Sequence, residues 1–365
     1  MSALPSENGK GRRVFVGTYT EPEQSTSEGV YVYRMDPASG KLTFETVIRG
    51  LINPSYLAIH PQTGNLYVVH EKGTFEGNPG GGVIALSVHP ETGEISLLNK
   101  QPSAGEDPCY ISIEQTGRFA LVANYSSGSV AMLPIQADGS LGAASHVIQH
   151  TGKSIHPTRQ EGPHAHCILP DPTNRYAVAL DLGIDKLKIY RMDVVAGRLY
   201  EHAEVKVTEG SGPRHLVFHP NGRFAYVVCE LNSTLIGFRY EAETGSFEEI
   251  QSVRTLPRGY EGQNLPADVH VTPNGNFLYS SNRKHESIAI FAIEPDTGQL
   301  TVQDHIPSGG REPRGFAIDP SGKFMLVANQ NSNNNVTFLI DPAKGQISRT
   351  GDELEVPMPV CVKFA

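Results

Sequence analysis

The side chains best suited to chemistry recur beside prolines and at the ends of apolar runs. Residues 161–167 read EGPHAHC, which sets His164 and His166 two apart, and residues 212–215 read GPRH, which sets Arg214 where His164 stood. Arg314 follows a proline in EPRGF, and Arg283 closes the run LYSSNR. Other apolar runs end on Asn124 (LVAN), Asp181 (VALD), Glu230 (VVCE), Asn282 (YSSN) and Asn329 (LVAN). A histidine that titrates near neutrality can take a proton from water. Arginines can clamp a carboxylate or phosphate and steady a developing oxyanion. A glutamate can orient either group. The chain contains neither GxSxG nor HExxH, so a covalent acyl-enzyme and a zinc protease site are not expected. The acids and amides could form an oxygen-donor site for a divalent ion, but the arginines beside them would repel it. No metal and no cofactor are therefore expected.

Convergence of these residues depends on a repeat. Segments that open on a proline, run apolar, turn at Pro/Asx-x-Gly and run apolar again start at prolines 54, 108, 163, 213, 266 and 313. A seventh start, Pro359 in MPVCVKFA, has no partner run after it, whereas RVFVGTYT at 13–20 matches a second run that lacks a first. Each unit continues with a second pair of runs, such as GVIALSVHPETGEISLL at 82–98. A period near 50 residues, a hairpin in each unit and alternating Val/Ile/Tyr runs predict an all-β, seven-bladed propeller with four antiparallel strands per blade. The C-terminal strand would join the N-terminal strands and close the ring. Residues 1–12 are expected to be a disordered tail, and 13–365 a single domain.

The hairpin places the start of each first strand beside the end of its second strand. Three rings of positions follow. Directly after the prolines come Ser55, Cys109, His164, Arg214, Ala267, Arg314 and Val360. Two residues further on come Leu57, Ile111, His166, Leu216, Val269 and Phe316, an apolar ring that His166 interrupts. The second strands end at His70 with Glu71, Asn124, Asp181, Glu230, Asn282 with Arg283, and Asn329. The reading is a channel mouth in which His166, Arg214, Glu230 and Arg283 carry the chemistry. His164, Arg314, Asn124, Asp181, Asn282 and Asn329 would contact substrate.

Bulk properties narrow the partners. A net charge of −9 argues against nucleic acid, while local arginines still allow a small anionic ligand. No apolar stretch is long enough to span a membrane, and the start lacks a signal-peptide core, so a cytoplasmic address is expected. Cys109, Cys167, Cys229 and Cys361 have no metal-site spacing and read as buried free thiols. A monomer and a dimer both remain open.

The segments GPHAHCILPDP, GSGPRHLVFHPNGRFAYVVCELNSTL, DVHVTPNGNFLYSSNR and EPRGFAIDPSGKFMLVANQ resemble the seven-bladed propeller lactonase family over roughly residues 13–365. The likeness is to its 6-phosphogluconolactonase branch, and more distantly to its carboxy-cis,cis-muconate lactonizing branch. It implies a lactone hydrolase of carbohydrate metabolism, with a site made of His166, Arg214, Glu230 and Arg283. It leaves open a non-phosphorylated aldonolactone or a cycloisomerisation. A binding scaffold without catalysis would give His166 no role. Phosphate contacts do not transfer; His156, Arg159, Arg254, Arg258 and Lys284 are the basic candidates.

Overall fold

The computed structural model describes residues 11–365. They form seven four-stranded antiparallel sheets, a small two-stranded ribbon at 74–79 and one 3-10 turn, Gln330–Ser332. The expected tail lies largely outside the described residues; Arg12 belongs to a strand, Arg12–Thr18. Six sheets follow one another in the chain, over 57–102, 108–149, 165–206, 213–254, 265–307 and 313–355, each in simple up-and-down order. The seventh is split as expected: Pro359–Phe364 pairs with Arg12–Thr18, which continues to Gly29–Met35 and Leu42–Arg49. Seven sheets of this kind, one shared between the two ends of the chain, match the blades read from the repeat.

The chain groups into two compact units, Ile48–Pro213 and Arg214–Phe364 with the residues up to Val47. Within each, the second strands are buried on both faces, as in Phe119–Asn124 and Phe324–Asn329, because sheets cover them from either side. Three of the Pro/Asx-x-Gly turns are tied by a buried acid, Glu114, Asp171 or Asp319, and three by His60, His219 or Thr272. Asp319 Oδ1 accepts the backbone N–H groups of Lys323 and Phe324 at 2.8 and 2.7 Å, and Asp171 does the same for Arg175 and Tyr176. Such Asx-type capping fixes the hairpin, and so the register of both strand ends. Neighbouring sheets are pinned through tyrosines: Tyr279 OH donates to the Gly345 carbonyl at 2.8 Å. Gly345 has φ +68, and a side chain there would collide with the Phe277 ring, so the turn needs glycine. All four cysteines are buried and free.

Candidate active site

Site residues enter at two register positions. At the opening of the first strand the ladder slips by one residue, between Pro108 and Tyr110, between Ala165 and Cys167, and between Pro313 and Gly315. The residues that the register skips are Cys109, His166 and Arg314, and in the split sheet Val360. A bulge of this kind takes a side chain out of the pleat and re-aims it. Arg214 follows Pro213 at the corresponding opening of the 213–254 sheet. This corrects the expected rings. His166, not His164, is the counterpart of Arg314 and Cys109, so it does not interrupt an apolar ring. Pro163 lies outside the ladder, and Ala165 opposite Asp181 holds the place that Pro108 holds opposite Asn124.

The second position lies at the end of the second strand, where the expected ring merges two adjacent places. The last paired residues are Asn124, Asp181, Cys229, Asn282 and Asn329, opposite Ser129, Lys186, Thr234, Ser287 and Asn334. Glu230 and Arg283 each come one residue later. The last paired residues are buried completely. The Asn282 amide donates to the Thr255 carbonyl at 2.8 Å and the Ser287 hydroxyl at 3.3 Å. Asn124 donates in the same way to Ser103 and Ser129, and Asn329 to the Ser308 carbonyl. These amides hold the blade together, and the residue after each is the one that the strand presents.

In the unit Ile48–Pro213, His164 and His166 gather around Tyr125. The His164 ring stacks on it with centroids 4.6 Å apart, and His166 meets it edge-on at 5.5 Å. His164 Nδ1 lies 3.1 Å from the Tyr125 carbonyl, and Cys109 Sγ lies 3.7 Å from His166 Nδ1. Asp181 secures this strand entry. Its Oδ1 accepts the backbone N–H of His164 at 2.7 Å and of Gly183 at 3.0 Å, while its Oδ2 accepts His150 Nδ1–H at 2.6 Å. The Tyr190 hydroxyl, held protonated by burial, donates to His150 Nε2 at 2.8 Å. Asp181 is thus saturated by the protein itself.

In the other unit, Glu230 Oε2 accepts from both Arg283 Nη2 at 2.7 Å and Arg214 Nε at 3.1 Å. All three side chains are buried, with 4–6 % of their surface exposed, so two guanidiniums share one carboxylate in a site that screens little. Burial, with Arg214 and Arg314 nearby, pulls Arg283 down to about 10, still protonated at neutral pH. Arg283 Nε also donates to the Leu265 carbonyl at 2.9 Å, and Arg214 Nη1 to the Ala267 carbonyl. Arg314 lies over the Tyr19 ring and donates to its hydroxyl at 3.0 Å. A buried surplus of positive charge of this form suits a carboxylate, a phosphate or an oxyanion.

A neighbouring trio was not read from the sequence. Asp268 accepts His215 Nδ1–H at 3.0 Å and His270 Nε2–H at 3.2 Å, and its Oδ2 also accepts the Phe316 N–H at 3.2 Å. Burial, with Arg214 beside it, lowers His215 to about 4, so the ring is neutral and its Nε2, 3.2 Å from Arg214 Nη1, is left as an acceptor. Burial alone would raise Asp268, but His270 and the hydrogen bonds from both imidazoles hold it well below the usual carboxylate range. The signal was in ADVHV, where an aspartate sits among apolar residues. Tyr125 and Tyr19 were missed as well, although each follows a strand end as Glu230 does. Among the basic candidates, Arg159 donates to the Tyr125 hydroxyl at 3.2 Å, and Arg254 and Lys284 line a cleft. Among the described residues, no group of three or more His, Cys, Asp or Glu is arranged to hold a metal, and no helix is long and apolar enough to cross a membrane.

Known proteins share both the sequence and the fold. A family model described as lactonase, 7-bladed β-propeller, matches residues 13–364. A 6-phosphogluconolactonase of Bacillus subtilis is 37 % identical over 350 residues, covering 96 % of this chain and 97 % of that protein. A 6-phosphogluconolactonase of Pectobacterium atrosepticum is 34 % identical over 80 % of this chain and 82 % of its own length. Among solved structures, a periplasmic gluconolactonase of Pseudomonas aeruginosa is similar with a TM-score of 0.90 at 36 % identity, over 97 % of this chain and 99 % of that one.

Proposed function

The chain belongs to the lactonase family of seven-bladed β-propellers, and from that premise we propose that it hydrolyses a sugar-acid δ-lactone, with 6-phosphogluconolactone as the first substrate to test. The observation that carries the reading is the Arg214–Glu230–Arg283 trio. Two buried cations on one carboxylate oxygen keep a net positive charge where an anion can be bound. Ring opening needs such a charge. Water adds to the lactone carbonyl, the carbonyl oxygen becomes an oxyanion, and the ring C–O bond then breaks. Arg214 and Arg283 stabilise the oxyanion, and Glu230 holds both arginines in place. In this scheme His166 takes the proton from water and returns it to the ring oxygen as that oxygen leaves. Its bulged place, the same register position as Arg314, supports this assignment. Neither a cofactor nor a metal has a step in the scheme.

The test of His166 is the variant His166→Ala, assayed on a fresh δ-lactone with correction for spontaneous opening. Loss of a general base lowers kcat by about 10²–10⁴, whereas wild-type turnover would remove the assignment. A non-phosphorylated aldonolactone is a second reading, favoured by the relative named a gluconolactonase. A cytoplasmic address belongs to the same proposal, supported by four buried free thiols and checked by cell fractionation.

A further inference from the structure

A cleft of about 500 Å³ opens beside the arginine trio, lined by Asn232, Ser233, Arg254, Tyr260, Asn264 and Lys284 among others. It shares backbone with the trio in two ways. Leu265, whose carbonyl accepts Arg283 Nε, is also part of the cleft wall. Lys284 directly follows Arg283 at the strand end and has φ +76, a left-handed conformation that disfavours a lysine. This turn lets two successive cations serve different places: Arg283 faces Glu230, and Lys284 lines the cleft.

The lining has a definite chemistry. Arg254 is held by its Nη2 donating to the Tyr260 carbonyl at 3.2 Å, and Lys284 Nζ lies 3.4 Å from Glu312 Oε2. With Glu261 also on the wall, the cleft carries two cations and one anion, together with neutral donors from Asn232, Ser233 and Tyr260. Asn264 fixes part of the wall. Its Nδ2 donates to Asn282 Oδ1 at 2.9 Å, and Asn282 cannot turn because its own Nδ2 is bound to the Thr255 carbonyl. The orientation of Asn264 is thereby fixed, and its buried Oδ1 accepts no hydrogen bond. The fixed amide makes this part of the cleft wall rigid.

We propose that this cleft is a subsite for the phosphorylated end of a polyhydroxy substrate, with Arg254 and Lys284 on the phosphoryl group. The proposal rests on the lactonase reading for its substrate class and adds to it the residues that select for phosphate. A phosphoryl dianion suits two cations set around open space, because it has three acceptor oxygens to share between them.

The double variant Arg254→Gln with Lys284→Met tests this with two readouts. Kinetics compare kcat/KM for 6-phosphoglucono-δ-lactone with that for glucono-δ-lactone. The expected result is a fall of about tenfold or more in the ratio of the two, mostly through KM, the loss of one or two charge-assisted hydrogen bonds. An unchanged ratio overturns the subsite. Calorimetry then compares 6-phosphogluconate with gluconate, needing no turnover. Wild type should bind the phosphorylated acid about tenfold tighter or more, with the variant losing that margin; equal binding of both acids by wild type overturns the subsite. If wild type opens neither lactone but keeps the binding margin, the lactonase reading fails and the cleft assignment stands. If it opens lactones without a margin that the variant removes, the reverse holds.

Discussion

Glu230 and Asp268 are both buried carboxylates set between two basic side chains, and they do different work. Glu230 joins Arg214 and Arg283, two guanidiniums on one carboxylate, so the trio itself carries a net positive charge. Asp268 joins His215 and His270, of which His215 is neutral, and it also holds the Phe316 N–H. Its charge is satisfied from within. The basicity of the partners decides the role: cations that cannot discharge leave a site for an anion, whereas an imidazole that can discharge makes a brace. The two trios touch at one point, where His215 Nε2 lies 3.2 Å from Arg214 Nη1. That contact makes the brace a positioning element for Arg214.

The contrast breaks first, if it breaks, on Arg214. Arg214→Ala should lower kcat/KM for lactone opening by about 10²–10³, the range for removing a donor to an oxyanion. Asp268→Asn should act the other way round. It leaves a buried imidazole without its acceptor and costs about 1–3 kcal/mol in a urea melt, while activity stays within about tenfold of wild type, since Arg214 is displaced but still present. Equal activity losses for the two variants would make Asp268 part of the chemistry, and the distinction between surplus charge and brace would fail.

Much of this was legible from spacing. The proline period, the split blade and the hairpins all follow from where Pro, Asx and Gly interrupt apolar runs, because turn chemistry is local. The trio itself was legible as residue types at strand ends. Register was not. Reading by prolines put His164 level with Arg314, when Pro163 lies outside the ladder and Ala165 holds the place of Pro313, which gives the bulged place to His166. A bulge adds one residue without marking the sequence, so parity counted across it is wrong by one. Reading Asn282 together with Arg283 failed for a similar reason, since adjacent strand residues face opposite ways and only pairing tells which one is braced. The Asp268 brace depends on contacts between sheets, which no local pattern records.

A pH profile sharpens the comparison with a smaller effect. His215 has a folded value near 4, below its ordinary 6.5, so the unfolded chain binds the proton more readily. Stability from this group is complete above about 6.5 and is lost as pH falls towards 4. The fully buried ring sets a ceiling of about 3 kcal/mol over that window. Melting temperature should therefore drop between pH 6.5 and 4, and His215→Gln should flatten that part of the curve. The arginine trio predicts no such slope there, because Arg283 titrates near 10. An unflattened curve in the variant would place the titration elsewhere and leave His215 as packing alone.

The smallest effect separates the two positions at the second-strand ends. Asn329 is fully buried and its amide is spent on the Ser308 carbonyl, as Asn282's is on Thr255. Asn329→Ala should cost about 1 kcal/mol in stability, one hydrogen bond's worth, and leave kcat/KM within about twofold. Asn282→Ala should cost more, because it also frees the Asn264 amide that borders the cleft. Its effect on turnover should then be larger with a phosphorylated lactone than with a plain one. If instead Asn329→Ala cut turnover tenfold with an unchanged melting temperature, the last paired residue would be contacting substrate after all. The one-residue division between braced and presented side chains would then have to be given up.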